Sequence, residues 1–502
     1  MWQSPSHRHN RTSGERKRVT VLGAGIAGLV AAYELERLGQ CDVEILEGSR
    51  DVGGRIRTHR FLPQEQGSPL AELGAMRIPV THQRTLNYIA KLGLLDRVRE
   101  FRTLYSDDGA YIAVAGGHTR VRDVPDHLVR EFGRRLGEHT YTERTLLFGA
   151  WLKASMDAIA PREFRAGLDD VLSTALLDAV ERIDLGPYLC GTKRNRFELH
   201  SVFADHPHLR DACGASAHRF LDDVLNETSG TLVRLQGGMD TLARALAARI
   251  QGPVRLGHEV RGIEVRDDGV AVHVHNGVQT VEWNCDHVLC TLPLTVLRHM
   301  PLTGFDEDKL DTIRNTEYWP ATKIAFHCRE PFWEADGIAS GASYTGGVAR
   351  QTYYLPEEGD PALGAVLLAS YTIGADAQAL SAMGDGDRAA EVLADVSAMH
   401  PQLCRPGMVL GTVEQVWGED RWSRGAATVR WRQNQEEQET QRQAAARPQG
   451  RLFFAGEHCS TMPAWIEGAI ESAVDAVHEI CWYEVPARPA DAPALCEEGK
   501  SA

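Results

Sequence analysis

Three glycines in the run Gly23-Ala24-Gly25-Ile26-Ala27-Gly28 follow a β-branched stretch and open an apolar pattern of helical spacing. Glycines so placed serve three needs at once: a tight turn, close approach of backbone N–H groups to a pyrophosphate, and close packing of a helix on a sheet. The helix start adds unsatisfied N–H groups and a positive dipole end. Glu47 ends the next apolar stretch, where a carboxylate accepts hydrogen bonds from ribose hydroxyls. Together these residues predict a docked dinucleotide without choosing between NAD and FAD. The choice comes from Gly53-Gly54-Arg55-Ile56-Arg57-Thr58, where two more glycines permit backbone approach and an arginine supplies a planar donor fork for phosphate.

The elements that must position these groups form a βαβ unit: a strand over Arg18 to Leu22, a helix from Ile26 to Leu38 stopped by Gly39, and a strand over Val43 to Leu46. Its span of about 30 residues suits a right-handed crossover in a parallel sheet. Later strands are predicted at Val260 to Val265 and Val270 to His275 around the turn Asp267-Asp268-Gly269, at Lys323 to Cys328, at Ala365 to Thr372 and at Arg451 to Ala455. Helices are expected near Asp387 to Met399 and over Ile466 to Trp482. Between about Leu94 and Leu225 the pattern is helical, as in Leu128 to Leu136 and Leu168 to Ile183, with few strand signals. The resulting expectation is an α/β, multi-domain (α+β) chain. Residues 17–75, 229–298 and 448–484 form a Rossmann-like cofactor domain, 76–92 and 299–447 an interleaved substrate domain, 93–228 a helical insertion, and 1–16 and 485–502 flexible tails.

The whole chain narrows the function classes. Its 502 residues exceed what one hydrophobic core usually serves. A balance of 54 basic against 69 acidic side chains, net −15, opposes binding to nucleic acid or to anionic lipid. No run approaches the roughly 18 apolar residues that span a bilayer. The first residues lack the apolar core of a signal peptide, so a cytoplasmic protein is expected. The 10 cysteines form no Cys-x-x-Cys pair and read as small core residues rather than as a zinc site or disulfide framework. No Gly-x-Ser-x-Gly elbow and no His/Cys/acid metal constellation is present; His206 and His208 flank Pro207 in an expected turn.

Six further segments stand in a telling order: Gly74-Ala75-Met76-Arg77-Ile78-Pro79, Thr322-Lys323-Ile324, Pro331-Phe332-Trp333-Glu334, Tyr371-Thr372-Ile373-Gly374, Phe453-Phe454-Ala455-Gly456-Glu457 and Trp465-Ile466-Glu467-Gly468-Ala469-Ile470-Glu471-Ser472. With the glycine turns they make the chain resemble the flavin-containing amine oxidase family, in its L-amino-acid oxidase branch, over residues 18–482. The resemblance implies FAD held by Gly23, Gly25, Ala27, Gly28, Glu47, Gly48, Gly54, Arg55 and the backbone of Val260. Gly74, Ala75, Met76 and Arg77 would run beside the flavin, Glu457 would bind the chain between ring and phosphates, and Trp465, Ile466, Glu467, Gly468 and Ala469 would hold the ring. Some relatives tether the flavin through a cysteine near an aromatic-rich loop. The corresponding stretch Trp422-Ser423-Arg424-Gly425-Ala426 has none, so noncovalent FAD is expected.

On the substrate side the resemblance implies that Arg77 forks onto an amino-acid carboxylate, that Tyr371 adds a second hydrogen bond, and that Lys323 holds a water beside the flavin and assists reaction with molecular oxygen. Trp465 would line the pocket, with Ala464 where relatives often carry glycine. Each has a plainly structural alternative: Arg77 paired with Glu72, Tyr371 as packing at a strand end, Lys323 on the surface of an edge strand, Trp465 as a core aromatic. The implied activity is oxidative deamination of an L-amino acid or amino-acid-derived metabolite to the 2-oxo acid, ammonia and hydrogen peroxide, by a homodimer. A decarboxylating monooxygenase, an amine or polyamine oxidase, a tailoring oxidase and an FAD-bound scaffold without turnover stay open at this level.

Overall fold

The structure, a computed structural model, describes residues 16–483 other than 166–171, 357–358 and 432. The expected tails lie outside the described residues apart from Arg16. The first strand, Lys17–Leu22, is the middle of a five-stranded parallel sheet whose order is Val254–Arg255, Cys41–Leu46, Lys17–Leu22, His287–Cys290 and Leu452–Phe454. Val19, Val21 and Leu22 are buried on its two faces, as an all-parallel sheet with covered faces requires. The helix Ile26–Arg37 packs between this sheet and the last helix, Ile466–Trp482. Buried on all sides of its first turns, it is rich in Ala, Leu and Gly rather than amphipathic. The chain thus closes its parallel sheet with residues more than 400 positions after those that opened it.

The predicted hairpin appears as Glu259–Val265 and Val270–His275 in a separate four-stranded sheet. A third, seven-stranded sheet runs Val409–Val416, Ala321–Cys328, Ala365–Ile373, Gln351–Tyr354, Gly341–Tyr344, Tyr111–Val114 and Gly117–Arg120. Its last hairpin corrects the reading of 93–228 as helical: Tyr111 to Arg120 completes this sheet, and Val98–Glu100 pairs with Leu232–Leu235. Strands this short, three or four residues each, leave too little alternation to register against the helical pattern around them. The rest of the segment holds the expected helices, Pro125–Leu136, Glu143–Ile159, Thr174–Val180 and Ala215–Thr228 among them. Part of the predicted helix at Leu168 to Ile183 lies outside the described residues. Most described cysteines are buried, but Cys404 is exposed, unlike its reading as a core residue. No described helix is long and apolar enough to cross a membrane.

Candidate active site

A cavity of about 740 Å³ runs between the parallel sheet and the seven-stranded sheet, within the size range of small-molecule sites. One end is walled by the two glycine turns. Gly53 N–H donates to the Ala24 carbonyl at 2.8 Å and Gly23 N–H to that of Leu46 at 2.8 Å, so the turns are docked on each other. Gly23 has φ +101°, a conformation side chains rarely adopt. A Cβ on Gly28 would lie 2.0 Å from the Gly23 carbonyl oxygen, whereas one on Gly25 would meet nothing within 4 Å. Gly28 therefore packs the helix onto the turn from outside the cavity wall, while Gly25 and Ala27 face the cavity. No side chain caps this helix, so its first N–H groups are left to whatever the cavity holds.

Glu47 accepts from the Ala24 and Ser49 N–H groups, each at 2.7 Å. A carboxylate retains further acceptor capacity toward a ribose. Above it, the ring of Trp422 covers Gly48 so closely that any Cβ there would come within 2.2 Å of the ring. Val260, next to a bulge in its strand, also lines this end.

Arg55 reaches across the cavity to Glu457 at 2.7 Å and to the Ala426 carbonyl at 3.0 Å. The second Glu457 oxygen accepts from Thr428, through both its N–H and its hydroxyl, and from the Ala464 N–H at 3.1 Å. One carboxylate thus ties together the second glycine turn, the loop after Trp422 and the approach to the last helix. Burial alone would raise this carboxyl, but Arg55, His458 and the Thr428 hydroxyl outweigh it and hold it at about 2, below its usual 4.5. Because the folded value is depressed, the stabilisation is complete above pH 4.5 and is lost as pH falls from there toward 2, on the order of 3 kcal/mol in all. Thermal melts of Glu457→Gln and wild type are expected to lie well apart at pH 7, to approach each other below pH 4.5 and to converge only as pH nears 2. Parallel curves over that range would show that the pair contributes no such linkage.

Gly74 lies against the same turn: a Cβ there would fall 2.0 Å from the Arg55 carbonyl oxygen, and Ala75 N–H donates to that oxygen at 3.0 Å. This contact brings Gly74, Ala75, Met76 and Arg77 along the cavity wall, as expected. The last helix begins with Trp465 as its N-cap, again without a side-chain cap, and Trp465, Ile466 and Ala469 face the cavity. Trp465 stands edge-on to His82 with ring centres 5.0 Å apart. Ala464 adopts φ +70°, the left-handed region that favours glycine. Two members of the expected ring-binding set are elsewhere. Glu467 turns away to accept from the N–H groups of Arg84 and Thr85 and from the Thr85 hydroxyl, capping the helix Gln83–Lys91. Gly468 packs against the Met462 carbonyl, which a Cβ would approach to 2.0 Å. Helical periodicity explains both: the residues that follow the first on the helix cannot all share its face.

The half of the cavity away from the glycine turns brings Arg77, Lys323, Tyr371 and Trp465, the expected substrate residues, together. Lys323 is buried on an interior strand, not on an edge, and its ammonium donates to the carbonyls of Gly74 at 2.7 Å and Glu72 at 3.2 Å. It lies 4.8 Å from the centre of the Tyr371 ring. Burial, and then the charge of Arg77, push Lys323 down to about 7. Arg77 does not pair with Glu72, whose carboxylate accepts from Thr58 and from the Met239 N–H; it pairs with Glu227 instead. Sequence reading missed the remaining wall: Ile159, Asp223, Glu227, Trp319, Trp417 and Trp431. Trp319 and Trp431 pack with ring centres 4.8 Å apart, and Trp431 donates to Asp223 at 2.6 Å. No spacing signal could have joined them, since they come from three separate parts of the chain.

Comparison with known proteins now decides the family. The profile of the flavin containing amine oxidoreductases matches residues 26–481. The chain belongs to this family. A flavin-dependent L-tryptophan oxidase of Lentzea aerocolonigenes is 56% identical over 92% of this chain and 98% of that protein. An L-amino-acid oxidase of Bothrops pauloensis is 28% identical over 92% of this chain and 89% of its own length. Among solved structures, a putrescine oxidase aligns over 93% of this chain and 99% of its own with a TM-score of 0.63 at 17% identity, which shows a shared fold. As a member of the flavin-containing amine oxidases the chain is a flavoprotein oxidoreductase using FAD. The two uncapped helix starts, the glycine turns and Glu47 fit that group, and no cysteine is among the described residues lining the cavity.

Proposed function

We propose that this enzyme oxidises an L-amino acid with a large aromatic side chain, of the tryptophan type, to its imino acid, which water converts to the 2-oxo acid and ammonia while oxygen is reduced to hydrogen peroxide. The observation that carries this reading is the convergence of Arg77, Lys323, Tyr371 and an indole wall of Trp319 and Trp431 in one cavity with the glycine turns. The L-tryptophan oxidase at 56% identity supports the substrate class. FAD, which the glycine turns, Glu47 and the Arg55–Glu457 pair would hold noncovalently, would supply the hydride acceptor and the reaction with oxygen.

The chain's own residues do the rest. Arg77 fixes the substrate by its carboxylate, and a forked donor sets orientation as well as position. Tyr371 and the tryptophans, themselves half-buried, form the walls against which the side chain lies, and the bound side chain would complete the exclusion of water from the reacting carbon. Lys323, close to half protonated at neutral pH, uses two N–H bonds on the Glu72 and Gly74 carbonyls. When neutral, its nitrogen lone pair is left to accept from a water, which it can position for imine hydrolysis; when charged, a third N–H is available to donate to an anionic oxygen species. We assign no described side chain of the cavity as a general base and take orientation to carry most of the rate.

The test is a panel of L- and D-amino acids and the corresponding amines with the purified yellow protein, measuring peroxide, ammonia, 2-oxo acid and carbon dioxide together. Equimolar peroxide and 2-oxo acid from L-tryptophan or a ring-substituted analogue is expected. An amide with carbon dioxide would replace this reading by a monooxygenase, and preference for tryptamine would replace it by an amine oxidase.

A further inference from the structure

Arg77 already holds a carboxylate. Its guanidinium pairs with Glu227, near the end of the helix Ala215–Thr228, and donates to the Tyr353 hydroxyl at 3.4 Å; that hydroxyl donates on to Gln351 at 2.7 Å. Both Arg77 and Glu227 line the cavity, and the Tyr371 ring centre is 6.0 Å from the guanidinium. The pair therefore stands in the substrate half rather than behind it. Arg77 is 7% and Glu227 8% exposed, so each would be costly to bury alone. The guanidinium also lies over the ring faces of Phe101 and Tyr353, at 5.8 and 5.9 Å, and its charge is felt by Lys323. Glu72, the acid closest in sequence, is engaged with Thr58 and Met239.

We propose that Glu227 competes with the substrate's carboxylate for Arg77 and is thereby a specificity-determining residue; the proposal rests on the reading of Arg77 as the carboxylate anchor. Exchange of one carboxylate for another keeps Arg77 compensated throughout, whereas an amine or a neutral ligand brings nothing to exchange. The apparent dissociation constant of an acidic ligand is its intrinsic value divided by the fraction of enzyme in which Arg77 is not held by Glu227, so the competition weakens binding. A ligand without a carboxylate does not meet this competition, so Glu227 narrows the margin by which Arg77 favours acidic ligands and admits only those whose carboxylate displaces it.

The experiment titrates the holoenzyme with indole-3-acetate, which has a carboxylate but no amine to oxidise, and with neutral indole-3-acetamide, following the flavin absorbance. Glu227→Gln, the same shape without the charge, is expected to bind indole-3-acetate about tenfold tighter than wild type, with indole-3-acetamide unchanged. Glu227→Asp keeps the charge but shortens the reach and is expected to fall between; it decides the matter if the glutamine variant loses its flavin. Unchanged or weaker binding of indole-3-acetate by these variants overturns the competition and leaves the anchor intact. Equal binding by Arg77→Ala and wild type, or none by any form, overturns the anchor and the competition with it.

Discussion

Arg77→Ala is expected to lower kcat/KM for L-tryptophan by about a thousandfold, the loss that follows truncation of one partner of a buried, hydrogen-bonded charge pair. The same variant is expected to leave any turnover of tryptamine within a factor of about three, because an amine without a carboxylate would not use the guanidinium. The ratio of the two activities is the informative quantity. Removal of Arg77 also strands Glu227 in a site where it is 8% exposed, so some general loss of stability will accompany the change. A common fall in both substrates would point to that general loss, whereas collapse of the amino-acid activity alone identifies the anchor. Arg77→Lys is expected to recover little, since a single ammonium lacks the fork that fixes orientation.

Lys323→Met is expected to slow reoxidation of the reduced enzyme by oxygen at least about a hundredfold, within the range that a positioned proton-handling group supplies. Flavin reduction by the amino acid under anaerobic conditions is expected to change far less, because Lys323 bonds to the Glu72 and Gly74 carbonyls and not to Arg77. Stopped-flow absorbance separates the two half-reactions. With Lys323 at about 7, any step that needs its charged form in wild type falls as pH rises through 7, and any step that needs it neutral rises over the same interval. Both dependences vanish in the methionine variant. Equal loss in the two half-reactions would instead show that the lysine only supports the wall formed by Gly74.

The cofactor half was legible in the sequence because its chemistry is carried by backbone and by local spacing. Gly23, Gly25, Gly28 and Glu47 lie within one βαβ unit, and a turn that needs φ +101° at Gly23 leaves a mark on residue type. The same holds for Ala464, whose φ of +70° explains why a glycine suits that position. The substrate half was half legible. Arg77, Tyr371 and Lys323 sit in recognisable segments, but Glu227, Trp319 and Trp431 reach the cavity only through tertiary packing of helix Ala215–Thr228, of the short strand Tyr318–Trp319 and of the segment around 431. Nothing in the spacing of 150 residues between Arg77 and Glu227 announces an ion pair. The direction of the Glu467 carboxylate was hidden for the opposite reason: it lies in a well-marked segment, yet the turn of its helix sends the carboxylate to cap Gln83–Lys91. The hairpin Tyr111 to Arg120 was missed because its strands are four residues long and pair with a sheet built mostly from residues after 320.

The central claim, that the enzyme removes hydride from the α-carbon of an aromatic L-amino acid, is tested most directly without oxygen. Holoenzyme mixed anaerobically with L-tryptophan is expected to lose its yellow flavin absorbance in a single turnover and to release one equivalent of 2-oxo acid and ammonia per flavin, while D-tryptophan leaves the colour unchanged. Persistent flavin absorbance with every L-amino acid, or equal bleaching by both enantiomers, would contradict it.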